Sequence, residues 1–332
     1  MKQTALKLAH QSGFFAPFRF LNRHKLLILM YHRFTNEPGS FSTLSSDFES
    51  HLKYLRQRYR VVSLTDAVQK LTSGDQVEPG TAVITIDDGY RDAYQVALPL
   101  LKKYEIPATI FVVTEFMDRK KWIWTDKARF IALHTQARTI EFENGSNVVR
   151  REISNRISKL QAASDINLHL KSLADEEKEL AIAKFAAAMG VEIPEVPTPE
   201  FEALTWNELI EMEQHGVQVG SHTVSHPMLT QVDIERVRRE LRDSKVRLEN
   251  VLGHDVPVFC YPNGATNDQV TEEVRLAGYD CAVTATHGFN ELKPDPFKLS
   301  RISAEHDLPH FAQNISGFEE FKNSFRTTHE MR

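Results

Sequence analysis

The stretch TAVITIDDGYRDAY, residues 81–94, decides how this chain is read. Its apolar run, Ala82-Val83-Ile84-Thr85-Ile86, has the look of a buried strand. It ends in two adjacent carboxylates, Asp87 and Asp88, followed by Gly89. Neighbours on an extended strand point to opposite sides. At the strand's end the geometry relaxes, and both can face one pocket. Taken alone, the pair is better explained by one aspartate that caps the next helix and one that is solvated.

Working outward, apolar strands alternate with amphipathic helices. KLLILMYHRF (25–34), RVVSL (60–64), ATIFVVTEF (108–116), VQVGS (217–221), VPVFCYPNG (256–264), CAVTAT (281–286) and KLSRISAEH (298–306) read as strands or strand ends. The segments between them carry helical spacing, such as Phe48, Leu52 and Leu55. This alternation indicates an α/β architecture with a parallel sheet or barrel. Residues 117–200 break the rhythm with helical patterns, a candidate hairpin at Asn144-Gly145 and a Pro-rich return. The expected organisation is an N-terminal basic and apolar segment (1–24), a main body (25–116 and 201–315) and an inserted, mostly helical subdomain (117–200).

Composition narrows the function classes. The chain has 332 residues, 41% hydrophobic and 26% charged, with a formal net charge of −5. That balance is ordinary for a globular protein and argues against a general nucleic-acid binder. Two cysteines, Cys260 and Cys281, form no Cys-x-x-Cys pair, and core positions are expected for both. No signal-peptide h-region and no apolar run long enough to span a bilayer is seen. A cytoplasmic location follows as the expectation. The segment LKLAHQSGFFAPFRFLNRHK (6–25) has the composition of a membrane-surface segment, so peripheral membrane contact stays open. Packing on its own domain is the preferred reading.

Three clusters carry chemistry: Asp87-Asp88-Gly89, His222-Thr223-Val224-Ser225-His226, and FCYPNG (259–264). Each alone favours a bland explanation. Together they lie at the C-terminal ends of strands, on the rim where α/β barrels place their sites. One carboxylate and two imidazoles, Asp88, His222 and His226, make an open, catalytic type of ligand set for a divalent metal. The neighbouring Asp87 is then placed to take a proton from water activated by the metal.

In these motifs the sequence resembles the polysaccharide deacetylases of carbohydrate esterase family 4, the NodB-homology group. Thr85-Ile86-Asp87-Asp88-Gly89 matches the family's first motif, and His222 to His226 matches His-(Ser/Thr)-x-x-His. The style is closest to the poly-N-acetylglucosamine deacetylase branch. The resemblance implies a distorted (β/α) barrel and metal-dependent removal of acetyl groups from a glycan of the N-acetylglucosamine type. It implies Asp87 as general base and Asp88, His222 and His226 as metal ligands. Zinc is the first choice of ion, with cobalt, nickel and manganese as alternatives. Tyr261, Pro262 and Asn263 form the expected substrate and oxyanion turn.

Two departures stand out. The arginine that usually precedes the third motif is missing, and Arg301 in LSRIS takes that place in relatives with a Tyr-Pro turn. A core-edge arginine paired with any carboxylate is the equally weighted alternative. The usual late Leu-x-His acid motif is also absent. His32 and His306 are candidates for the general acid, and His32 is favoured because it follows a clean strand end. Trp122 and Trp124 are open between core and sugar stacking, whereas Trp206 is expected in the core. Competing functions are an amidase on a small non-sugar amide and a carbohydrate-binding relative without turnover.

Overall fold

The protein is described from a computed structural model covering residues 2–38, 42–73, 77–144, 147–304 and 307–322. Eight parallel strands form the main sheet: β1 (Leu27–Tyr31), β2 (Arg60–Val61), β3 (Thr81–Ile86), β4 (Ala108–Val112), β5 (Val217–Ser221), β6 (Val258–Cys260), β7 (Cys281–His287) and β8 (Leu299–Ser303). Seven of them close a ring in the order β1-β8-β7-β6-β5-β4-β3, because β3 also pairs with β1 from Leu27↔Ala82 to Tyr31↔Ile86. β2 stands outside the ring. It takes the start of one edge of β3, at Thr81 and Ala82, while β4 takes the end, at Thr85 and Ile86. The chain is thus a (β/α) barrel, as the alternation and the motifs led one to expect.

The distortion is local. β5 and β6 share a single registered pair, Ser221 with Phe259. The β7–β8 ladder shifts register between Val283 and His287.

The ring strands are buried on both faces over most of their length, which is why the sequence shows continuous apolar runs. Leu27, Leu29, Ile84, Ile86 and Ile110 point outward and pack with Phe48, Leu52, Leu209 and Met212 of the surrounding helices. Ile28, Val83, Phe111, Val258, Val283 and Leu299 form a second cluster, the barrel interior. The helix Leu64–Ser73 adds Leu64, Ala67, Val68 and Leu71 to this inner cluster, together with Leu26 and Cys281 at strand starts. It therefore stops the end of the barrel at which the strands begin. The opposite end is left for a site.

Between β4 and β5 the chain leaves the barrel. It forms a helix (Trp124–His134), an antiparallel hairpin (Thr139–Asn144 with Asn147–Glu152) and two further helices (Arg156–Leu170 and Asp175–Ala188). These elements pack on a cluster of their own, including Trp124, Ile131, Ile140, Ile166 and Phe185. The hairpin forms at the expected place, although Gly145 lies outside the described residues. Trp122 and Trp124 are each only 4% exposed, so both serve the core and not sugar stacking. Trp206 packs at the edge of the main core and donates its Nε1–H to Asp118 at 2.9 Å.

Gly220 on β5 continues the inward side of the barrel, against Phe111 and Val258. A Cβ there would lie 2.5 Å from Phe111 Cδ1 and 2.8 Å from Val258 Cγ2. Overpacking of this kind costs about 1–3 kcal/mol. Gly220→Ala is expected to lower stability by that amount in chemical denaturation, and an unchanged midpoint would show that the Phe111 ring yields freely.

Candidate active site

Alternation along the strands decides which side chains enter the open end of the barrel. On β3 the inward positions are Val83 and Thr85, so Asp87 continues the same side. On β5, Gln218 and Gly220 lead to His222, and on β8, Leu299 leads to Arg301. Ile28 and Met30 of β1 lead in the same way to His32. Asp88 has the wrong parity. It reaches the mouth because its backbone turns left-handed, with φ of 76°. Aspartate tolerates this conformation better than most residues. Gly89 follows at φ 85°, where a Cβ would press to 2.9 Å from Val112 Cγ1.

Three ligand atoms converge at the rim. Asp88 Oδ1 lies 3.4 Å from His222 Nε2 and 3.5 Å from His226 Nε2. All three residues are buried and belong to one group able to hold a metal ion. Bonds of about 2.0–2.2 Å in a tetrahedral shell set ligand atoms about 3.3 Å apart. The observed spacings fit that shell and are long for direct hydrogen bonds. The tautomers also fit, although burial, which would lower the His222 pKa, is outweighed by Cys260 and Asp88, which raise it well above its ordinary value, so an ion would have to displace a proton from that ring. His222 Nδ1 lies 2.7 Å from the Cys260 carbonyl oxygen, to which it donates, leaving Nε2 to face Asp88. Burial and then the charge of His222 push His226 down to about 3, which keeps that ring neutral near pH 7. Burial opposes ionisation of Asp88, but the facing imidazoles, His222 first, outweigh it and hold its carboxyl below the usual range.

The neighbouring carboxylate is held differently. Arg301 donates Nη1–H to Asp87 Oδ1 at 2.7 Å and Nη2–H to Asp87 Oδ2 at 2.8 Å. The remaining guanidinium protons go to Thr284 O (2.7 Å), Thr85 Oγ1 (3.0 Å) and Cys260 Sγ (3.2 Å). All five donors are thereby used. Burial would raise the Asp87 carboxyl, yet Arg301 outweighs it and holds the group below its ordinary value. Asp87, His222 and Cys260 also lie close enough to suggest a second metal set. Asp87 is committed to Arg301 and burial raises the Cys260 thiol pKa, so this set is the poorer one. Cys260 is more than the core filler expected, since its carbonyl orients His222 and its sulfur touches Arg301.

One group escaped the sequence reading. Glu240, on the long helix Ile234–Leu252, accepts from Val224 N and Ser225 N, both at 2.9 Å, and from Ser225 Oγ at 2.5 Å. It clamps the turn that carries both histidines. Thr223 Oγ1 adds a bond to His226 N at 3.0 Å. The turn needs such support because Thr223 (φ 72°) and His226 (φ 59°) are both left-handed. A signal was present: Val237, Glu240, Leu241, Ser244 and Leu248 form one buried helical stripe, with an acid in it.

His32 is half-buried, with Nε2 3.8 Å from Asp87 Oδ2. His306 lies outside the described residues. In the Tyr261-Pro262-Asn263 turn, the Tyr261 N–H donates to Val283 O at 3.2 Å and its hydroxyl to Phe297 O at 3.0 Å. Pro262 has no N–H. The Asn263 side-chain nitrogen is buried without a partner. His32, Tyr261 and Asn263 line a cleft of about 590 Å³ that runs from Asp87, Asp88, His222 and His226 to Arg129, Asn167 and Lys171 of the inserted segment. The elements at 117–200 thus build one wall of the site.

Two outcomes are expected. Arg301→Met leaves Asp87 buried without its counter-charge and should cost about 3–5 kcal/mol in chemical denaturation at neutral pH. Glu240→Ala should retain the fold by circular dichroism but weaken zinc binding by about ten- to a hundred-fold in calorimetry. Wild-type affinity would show that the turn holds without its clamp.

Comparison with known proteins agrees with this geometry. The sequence profile of the family described as polysaccharide deacetylase matches residues 74–282, more than half of the chain. YxkH of Bacillus subtilis, provisionally named a polysaccharide deacetylase, is 23% identical over 279 residues, covering 84% of this chain and 71% of its own. The poly-β-1,6-N-acetyl-D-glucosamine N-deacetylase of Staphylococcus aureus is 29% identical over 149 residues, 44% of this chain. The match spans about half (51%) of that relative's length. The deacetylase PplD of Streptococcus pyogenes, solved with acetate, shares the fold with a TM-score of 0.59 at 21% identity, covering 88% of this chain and 98% of its own. The motifs, the barrel and the profile agree: this chain belongs to the polysaccharide deacetylase family.

Proposed function

We propose that the protein is a metal-dependent hydrolase that removes N-acetyl groups from a glycan of the N-acetylglucosamine type. The observation that carries this reading is the convergence of Asp88, His222 and His226 beside an aspartate held by Arg301. Asp88, His222 and His226 would hold a divalent ion, and zinc suits one carboxylate with two imidazoles best. Such an ion supplies Lewis acidity toward the acetamide carbonyl and lowers the pKa of water.

The chain's own residues do the rest. Asp87, ionised and fixed by two hydrogen bonds, accepts a proton from the attacking water. Arg301 positions that carboxylate and touches no substrate. His32 stands at the exposed edge of Asp87 and protonates the departing amine. The unpaired amide of Asn263 donates to the carbonyl oxygen as it gains charge, a role the Tyr261 N–H cannot fill while it bonds Val283. The substrate class is supported by the Staphylococcus relative, named for poly-β-1,6-N-acetyl-D-glucosamine.

Acetate release from N-acetylated glucosamine oligosaccharides, with and without chelator, tests the proposal. Asp87→Asn is expected to lose about 10²–10⁴-fold in turnover while still binding zinc. Asp88→Asn should lose the zinc itself. Normal turnover by Asp87→Asn would remove Asp87 as the base. Hydrolysis of simple amides alone would indicate a non-sugar amidase, and glycan binding without acetate release a non-catalytic relative.

A further inference from the structure

Residues 1–25 contain Lys2, Lys7, Arg19, Arg23 and Lys25 and no aspartate or glutamate, in a chain of net charge −5. They form two helices, Lys2–Gln11 and Ala16–Leu21, ahead of β1. One side of this segment packs inward: Phe15 is buried, Leu6 and Ala9 lie against the main core, and Arg19 donates to the Tyr54 hydroxyl at 3.1 Å. The other side does not. Leu8 is 61% exposed, Phe14 49%, Phe20 61% and Leu21 67%. Phe321 adds to this apolar face through Phe18, at 5.1 Å between rings.

Acids of the flanking chain have partners, and Asp307 also feels the charge of Lys7. Glu291 pairs with Lys25, Glu320 with His287, Asp307 with His310, and Glu319 with Lys322. Arg23 lies over the Phe20 ring at 3.8 Å, a cation set directly on an exposed aromatic. Large apolar side chains interleaved with cations, in a segment without a single acid, are the surface chemistry of an interfacial segment. No helix among the described residues is long and apolar enough to cross a membrane. A segment that packs on its domain by one side and shows Phe, Leu and Arg on the other is built to lie along a bilayer and not to cross it.

We propose that this face docks the protein on the surface of a bilayer containing anionic lipid. Phe14, Phe20 and Leu21 enter the interface, and Lys7 and Arg23 meet the headgroups. This surface is separate from the cleft and does not depend on what the cleft hydrolyses.

The full chain should cosediment with phosphatidylcholine vesicles containing phosphatidylglycerol. Added salt should weaken that binding, and vesicles of phosphatidylcholine alone should bind far less. Phe20→Ser/Leu21→Ser should reduce partitioning by about tenfold or more, with circular dichroism and zinc affinity unchanged. Arg23→Glu should reduce it as well. Failure to sediment with the anionic vesicles, or equal sedimentation of the double variant, overturns the proposal. So does a dimer in solution that the double variant dissociates, since the occupant would then be a second copy of the chain.

Discussion

The bidentate contact between Arg301 and Asp87 is the constraint on which the site depends. It joins the last strand of the ring to the strand that ends in the two carboxylates, across the barrel mouth. A buried guanidinium and a buried carboxylate are each costly to desolvate, and the pair is tolerable only because every remaining donor of Arg301 is also used. The result is a carboxylate that stays ionised in a dry place. It is held away from the neighbouring histidines, so Asp87 and Asp88, adjacent in sequence, have different partners.

The ligand set has its own support. His222 is oriented by the Cys260 carbonyl from the next strand of the ring, and the turn to His226 is held by Glu240 from the helix that follows. Left-handed residues at Asp88, Thr223, His226 and Asn263 all fall around the same mouth. Their conformational cost is met by the rigid barrel beneath, where strands are packed on both faces. Rigid walls and a few strained rim residues are what hold Asp88 at 3.4–3.5 Å from the two imidazoles, in an arrangement able to hold an ion.

The inserted elements change the shape of the site without entering its chemistry. They carry their own apolar cluster and meet the barrel where the Tyr90 hydroxyl donates to Asp126 at 2.6 Å. Arg129, Asn167 and Lys171 then face the cleft opposite the rim. An acceptor atom of Asn167 is buried there without a partner. The cleft is therefore built jointly by the barrel and the inserted elements.

What the linear chain determined by itself was whatever rests on local pattern. Apolar runs of strand length, amphipathic helices between them and the caps at Thr205 and Asp233 follow from periodicity and side-chain hydrogen bonding, which act over a few residues. Asp87, Asp88, His222 and His226 were legible as candidates because each cluster sits directly after such a run. Only the folded ring decided the rest. Closure of β3 onto β1 and strand parity chose which side chains enter the mouth, and a left-handed turn brought Asp88 in against parity. The pairing of Arg301 with Asp87 spans 214 residues, and no local pattern selects one carboxylate over another at that distance. Glu240 as a clamp, Cys260 as an orienting carbonyl and the tryptophans as core follow the same logic. Each depends on which elements pack together, and that is settled by burial across the whole molecule.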